Sequence, residues 1–444
     1  MKNLKEHFWF TFFDENPDSD DVADDIRNIG AINRFTRPDW SLVLTPYEFM
    51  DKDVNDYNKS FNQLLEIIKN LPELLFKGDF KQFSHKVGFY DETLQSFFAD
   101  YARLNLDTIT PCRWDLINTQ DGLKILELNT GGALGGFAYE EVQKIYDETL
   151  DKENTKEPSL NVIETWDNPF TEISLFIQNK LAKLNNPLLL VVDDESIYKD
   201  SPLIANSVAL TLSKTLKRDV NAITHTQLKT VLDEHTGDIL CFEVFGAIDL
   251  VRAKESYQTY LNGVETKRIY PIIDLLSELF MSKAILALLK QEATLTQLEP
   301  YQVKVINELI PDSVFLKENK EAQQYQQKLN ANDWVLKPAI GYGGQGVVCQ
   351  WEMSNTHWQE QVKTCLETKD TLFILQKRVI STKVNLIAMT AQGHFIESDK
   401  PCVLGVFNVN GVFGGGTVRQ SLSGEGVINA SKNAAVGVIR RRLN

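Results

Sequence analysis

The chain is poor in the residues that cross-link a fold or hold it in a membrane. Its 444 residues include five cysteines, Cys112, Cys241, Cys349, Cys365 and Cys402. They lie far apart and form no Cys-x-x-Cys pair, so a disulfide framework or a zinc site is not expected and free thiols in a reducing compartment are. No apolar run approaches the roughly 18 residues that span a bilayer, and the segment Met1 to His7 has no apolar signal core. The expected location is therefore cytoplasmic, with no membrane partner. Basic charge is the scarcer sign: 46 Lys and Arg stand against 61 Asp and Glu, a net charge of −15. The one basic run is Arg440-Arg441-Arg442, and a chain so balanced repels a phosphate backbone, which excludes a nucleic-acid partner. No period of 20–50 residues recurs, which sets solenoids and propellers aside. What is present is ordinary globular usage, 43% hydrophobic with 24 glycines, in a chain long enough for two or three compact units.

Along the chain, the crowded aromatics Phe8, Trp9, Phe10, Phe12 and Phe13 precede an acidic stretch from Asp14 to Asp25, read as a packed segment leading into a solvated helix start. Phe61, Leu64, Leu65, Ile68, Leu71 and Leu75 fall at helical spacing and predict a core-facing helix that tolerates Pro72 near its end. The run Leu188-Leu189-Leu190-Val191-Val192-Asp193-Asp194 predicts a buried strand. A helical pattern through Ile204, Val208, Leu210, Leu212 and Leu216 follows, then a second strand at Asp238 to Val244, so the middle of the chain reads as a small α/β unit with parallel strands. A helix is expected over about 272–289, and the polar, Gln-rich segment 318–332 reads as an exposed helix or connection.

Two segments carry chemistry. In Cys112-Arg113-Trp114-Asp115-Leu116 and Ile125-Leu126-Glu127-Leu128-Asn129, polar and apolar residues alternate at period two around a turn at Gln120-Asp121-Gly122. A three-residue loop with Gly122 left-handed would pair Asp115 with Glu127 and Arg113 with Asn129, and leave Trp114, Leu116, Leu126 and Leu128 on the opposite face. The resulting patch of two carboxylates, a carboxamide and a guanidinium suits Mg²⁺ with a phosphate on Arg113. Read without a ligand, it is an acid pair partly neutralised by Arg113 on a solvated face. Thr130-Gly131-Gly132 beside it either admits a substrate backbone or makes a turn. The second segment, Trp334 to Ile340 followed by Gly341-Tyr342-Gly343-Gly344-Gln345-Gly346, contains a Gly-x-Gly-x-x-Gly pattern. Val347 to Trp351 reads as strand where a dinucleotide-binding fold needs a helix, and the catalytic loops of a protein kinase are missing downstream. A strand, glycine loop, strand hairpin remains, with Lys337 on its incoming strand able to meet a phosphate oxygen.

Arg-x-Asp, then Glu-x-Asn, a lysine-bearing strand feeding a glycine loop, and the later Leu372-Phe373-Ile374-Leu375-Gln376-Lys377 resemble the ATP-grasp ligase superfamily. The metal-side residues precede the glycine loop here, which resembles the circularly permuted branch typified by glutathionylspermidine synthase. The resemblance implies a permuted ATP-grasp α/β (α+β) fold with a small parallel subdomain. Residues 1–164 would carry the Mg²⁺ and triphosphate half of the site, 165–270 the small α/β domain, and 271–444 the nucleotide half. It implies ATP and Mg²⁺, with Asp115, Glu127 and Asn129 as metal ligands, Arg113 on the triphosphate, Lys283 and Lys337 as nucleotide lysines, Gly341, Gly343, Gly344, Gln345 and Gly346 as the lid, and Gln376 and Lys377 near the adenine. Arg113 and Arg419 would serve catalysis, and Thr130, Gly131, Gly132, Arg419 and Ser421 the substrate. The implied activity is amide formation between a small carboxylate and an amine through an acyl phosphate. A silent nucleotide-binding regulator, or transfer of the acyl group to a non-amine acceptor, stays open. The stretch after Asn129 departs from the Asp-Thr-Pro-Thr-like one of the glutathionylspermidine synthases, so glutathione and spermidine do not carry over.

Overall fold

The structure is a computed structural model that describes residues 41–132, 134, 164–165, 167–200, 202–316, 333–422, 426–429 and 433–442. The aromatic and acidic segments before residue 41 and the whole Gln-rich stretch 318–332 lie outside the described residues. Two short strands, β1 (Leu42–Val43) and β2 (Tyr47–Met50), lead into the helix Asp51–Phe76. Phe61, Leu64, Leu65, Ile68 and Leu71 are buried on it as their spacing predicts, and Pro72 lies inside its last turns. The helix stops where Lys77 turns left-handed, with the Lys77 and Gly78 amides donating to the carbonyls of Glu73 and Pro72.

Among the described residues the strands form three sheets. The first contains the hairpin β3 (Cys112–Thr119) and β4 (Gly122–Thr130), with β5 (Glu164–Thr165) elsewhere in it. The second holds β6 (Leu188–Asp193), β7 (Asn221–Thr224), β8 (Ile239–Glu243) and β9 (Ile269–Pro271), all parallel in the order β7-β6-β8-β9. Helices cross between these strands, as the apolar runs require. The third is antiparallel, from β10 (Ser313–Phe315), β11 (Trp334–Pro338), β12 (Val348–Cys349) and β13 (Phe373–Lys377) in the order β10-β13-β11-β12. The chain then returns to the first sheet as β14 (Lys383–Met389), β15 (Phe395–Val409), β16 (Val412–Gln420) and β17 (Ala435–Arg442), giving the order β14-β1-β17-β16-β15-β3-β4 with β2 and β5 on β17. The first sheet thus draws strands from both the early and the late parts of the described chain.

Two sequence expectations change. On the helix Leu203–Leu216, Ala205, Val208, Ala209 and Leu212 are buried, whereas Ile204 and Leu210 face solvent. The buried set keeps the i, i+3, i+4, i+7 spacing, but small alanines rather than the large apolars fill two of its positions. The helix expected over 272–289 is broken into a 3₁₀ segment Leu275–Met281 and a helix Ala284–Leu289, separated by Ser282 in extended conformation. The basic run Arg440 to Arg442 is built into β17, where Arg441 pairs with Asp51 and Asp167 at 3.4 and 2.6 Å and Arg442 with Glu48 at 3.2 Å. Among the described residues no helix is long and apolar enough to cross a membrane, and all five cysteines are buried free thiols.

Candidate active site

The register of β3 against β4 is the one the alternation predicts: Arg113 faces Asn129 and Asp115 faces Glu127. The route to it differs. The turn has two residues, Gln120 and Asp121, with Thr119 opposite Gly122 at φ +93°. A bulge then makes Leu116 face Ile125, which leaves Leu126 as the extra residue. A bulge beside a site re-aims what it carries. Leu126 leaves the core face, where Trp114, Leu116 and Leu128 are buried, and lines a cleft instead. Its freed carbonyl accepts from Lys337 Nζ at 3.3 Å.

Asp115 is the centre of charge. Arg113 Nε donates to its Oδ1 at 2.9 Å and Arg419 Nη2, from β16, to its Oδ2 at 2.5 Å. Burial alone would raise this carboxyl, but the two guanidiniums outweigh it and hold Asp115 well below the usual carboxylate range. Gly405 sits opposite Asp115 on β15, and a Cβ there would stand 2.9 Å from Arg113 Cδ and 2.8 Å from Thr417 Oγ1. The missing side chain is what lets Arg113 lie across the sheet. Lys283, at the break before Ala284–Leu289, pairs with Glu127 Oε2 at 3.0 Å and donates to the Gly341 carbonyl at 3.0 Å. Lys337, only 6% exposed, donates to Gln376 Oε1 at 2.6 Å. Burial lowers its pKa to about 8, against the attraction of Glu127 and with the repulsion of Lys283.

These groups line a cleft with an empty volume of about 1070 Å³ between the first and third sheets, whose apolar wall includes Val335, Val347 and Cys349. Arg378 lies 4.2 Å from the Trp351 ring centre at its edge. A second cavity of about 710 Å³ adjoins it, sharing Glu127, Arg419 and Asn429. Of the sequence-predicted residues, Asp115, Glu127, Lys283, Lys337, Gln376, Lys377, Gly344 and Arg419 line the cleft. Arg113, Asn129, Thr130, Gly131, Gly132, Gly341 and Gly343 line the second cavity with Glu127 and Arg419. Lys377 is exposed. Gln345 and Gly346 face solvent on the hairpin tip, and Ser421 is buried away from both spaces, its amide donating to the Pro401 carbonyl at 3.1 Å. The hairpin is the predicted one, though β12 is short and Gln350–Glu352 continues as a 3₁₀ turn.

Whether these residues suit Mg²⁺ turns on their free oxygens. Among the described residues no three His, Cys, Asp or Glu side chains converge as a metal cage. Asp115 already holds two arginines, while Asn129 leaves its buried amide nitrogen without a partner; the two ends of an amide exchange by a simple flip. Glu127 and Asn129, with the spare lone pairs of Asp115, suit a cation that takes few protein oxygens and completes its shell from phosphate and water, the habit of Mg²⁺.

Sequence reasoning missed Glu278, Trp351, Arg378 and Asn429. Glu278 carried a usable signal, since it is a lone acid inside the apolar run Leu275 to Phe280. It is 4% exposed, accepts from the Ala247 amide, and lines the second cavity. Burial pushes its carboxyl up to about 7, the Ala247 hydrogen bond works against that, and Asp249 adds to it.

The architecture is an α/β protein of parallel and antiparallel sheets with a polar cleft between two of them. No family model and no curated protein matches the sequence. Among solved structures, it is similar to a glutathione synthetase-like effector from Globodera pallida, at 12% identity and a TM-score of 0.56, over 95% of this chain and 96% of that one. A weaker match is to a presumed gamma-glutamylcysteine synthetase from Methylobacillus flagellatus, at 12% identity and a TM-score of 0.34 over 80% and 84% of the two chains.

Proposed function

We propose that the chain is an ATP-dependent carboxylate–amine ligase on a permuted ATP-grasp fold, releasing ADP and phosphate. One observation supports this above the rest. Arg113, Lys283, Lys337 and Arg419, drawn from remote segments with Arg419 lying 304 positions from the Asp115 it meets, surround two acids where the cleft adjoins the second cavity. An acidic chain that gathers four cations at one place offers a site for a polyanion. The fold likeness over nearly the whole chain is consistent with a peptide ligase.

In this reading the apolar wall and Gln376 hold the base, while Lys283, Lys337 and Arg113 balance the phosphates. Asp115, Glu127 and Asn129 would hold Mg²⁺, which supplies charge neutralisation at the phosphoryl oxygens. The γ-phosphoryl passes from ATP to the substrate carboxylate, giving ADP and an acyl phosphate. The amine attacks the acyl carbon, Arg419 stabilises the tetrahedral oxyanion, and phosphate leaves as the amide forms. No side chain acts as a covalent nucleophile, so positioning carries the reaction. The glycine hairpin closes over the cleft to keep water from the acyl phosphate.

The test is ADP release from ATP and Mg²⁺ with a matrix of amino acids, peptides and amines, followed by mass spectrometry of the product. Wild type forms an amide and Lys337→Met does not. ATP binding with no ADP release stimulated by any carboxylate or amine would instead favour a nucleotide-binding regulator, and an ester or thioester product a different acceptor.

A further inference from the structure

The second cavity is lined by charges of both signs, Arg113 and Arg419 with Glu127 and Glu278. Glu127 is already paired with Lys283. Among the described residues no Lys, Arg or His makes an ion pair with Glu278; its partners are the backbone amides of Ala247 and Ile248. Asp249, which donates no charge relief, instead adds a second negative charge close by. Capping the short helix Ala247–Arg252 needs only an acceptor oxygen, which a glutamine would supply equally well. A buried carboxylate beside another acid, bordering an open cavity, gains most from a cation brought by a ligand.

We propose that this cavity takes an ammonium-bearing substrate, its cationic amine seated on Glu278. Glu278 is thus the residue that selects the amine. The proposal deepens the ligase reading by giving the acceptor class as a cationic amine or amino acid, and rests on that reading only for what the amine does after it binds.

The probe is glycinamide, a small cationic amine, compared with its neutral N-acetyl derivative by saturation-transfer NMR on the full chain at pH 7. Wild type binds glycinamide and not the acetylated form. Glu278→Gln keeps the capping acceptor and so the fold, and weakens glycinamide by about tenfold or more, the scale of one lost charge contact. Gly246→Ala gives the same direction with the charge intact, because a Cβ there would stand 2.9 and 3.1 Å from the two carboxylate oxygens and displace them. No binding of glycinamide to wild type, or equal binding to Glu278→Gln, overturns the proposal. Glycinamide binding without ADP release from any substrate would sink the ligase reading and leave Glu278 in place. Amide formation unchanged in Glu278→Gln would do the reverse.

Discussion

Taking the carboxylate from Asp115 would leave the guanidiniums of Arg113 and Arg419 without the charge both now share. Breaking a buried pair in this way costs on the order of 3–5 kcal/mol. Asp115→Asn is therefore expected to lose turnover and also to lower the unfolding midpoint in urea. Glu127 is more open, with its side chain 27% exposed, so Glu127→Gln is expected to lose turnover with its midpoint nearly unchanged; full activity in both variants would sink the assignment. Lys337 makes a prediction of opposite signs. Its folded pKa of about 8 lies below the ordinary 10.5, so between those values the unfolded chain holds more protons and the stability of the free protein from this group rises with pH. In the proposed nucleotide site the same loss of charge would weaken its hold on phosphate. Nucleotide affinity should fall from pH 7 to 9 by titration calorimetry, and this part of the fall should vanish in Lys337→Met. The pairing of Asp115 with Glu127 was legible because adjacent strands share a period. The reach of Arg419 to Asp115 across 304 positions was not, because no local pattern encodes which distant strand will lie beside β3.

At the scale of elements, alternation gave the polar face of β3 and β4 but not the bulge at Leu126. Two devices, a longer loop or a tight turn with a bulge, yield the same pairing at Asp115, and only the second turns Leu126 and its carbonyl toward Lys337. The helix expected through residue 282 failed for a related reason. Apolar content there reports burial, and all six residues of Ala284–Leu289 are buried, so periodicity could not locate the break that aims Lys283 at Glu127. β15 offers a direct check on how the sheet supports the site. Gly405→Ala on that strand would press on Arg113 and Thr417, and is expected to cut turnover sharply while circular dichroism stays native. Unchanged kinetics would show that Arg113 has room to move. At the end of β8, Glu243 accepts from Tyr260 Oη at 2.9 Å and from the Ile272 and Ile273 amides, and burial pushes its carboxyl up to about 8. A folded pKa raised above 4.5 means its contribution is fully present below that value and is lost as pH rises through about 8. Glu243→Gln should therefore narrow the fall in melting temperature across that window, and an identical pH profile would count against a protonated Glu243.

For the whole molecule, the cleft joins chain segments that are remote in sequence: β3 and β4 from the early part, Lys283 from the middle, and β11, β13 and β16 from the late part. A ligand seated there ties the first sheet to the third, so its binding energy appears as global stability. With ligand at 100 times its dissociation constant this linkage is worth about 2.7 kcal/mol. ATP with Mg²⁺ is thus expected to raise the melting temperature, ATP without the metal to raise it less, and Lys337→Met to shrink the rise. The net charge of −15 sharpens the control, since an acidic chain repels a polyanion unless local cations outweigh it. An equal shift from inorganic triphosphate would show that the four cations alone set affinity and that the apolar wall does not read the base. Hydrogen exchange then locates the effect. The parallel sheet β6 to β9 contributes no strand to the cleft wall, so protection should rise at the 341–346 hairpin and β13 and stay level across that sheet. Uniform protection everywhere would mean that the nucleotide stabilises the fold without closing the hairpin, and the lid would have to be sought elsewhere.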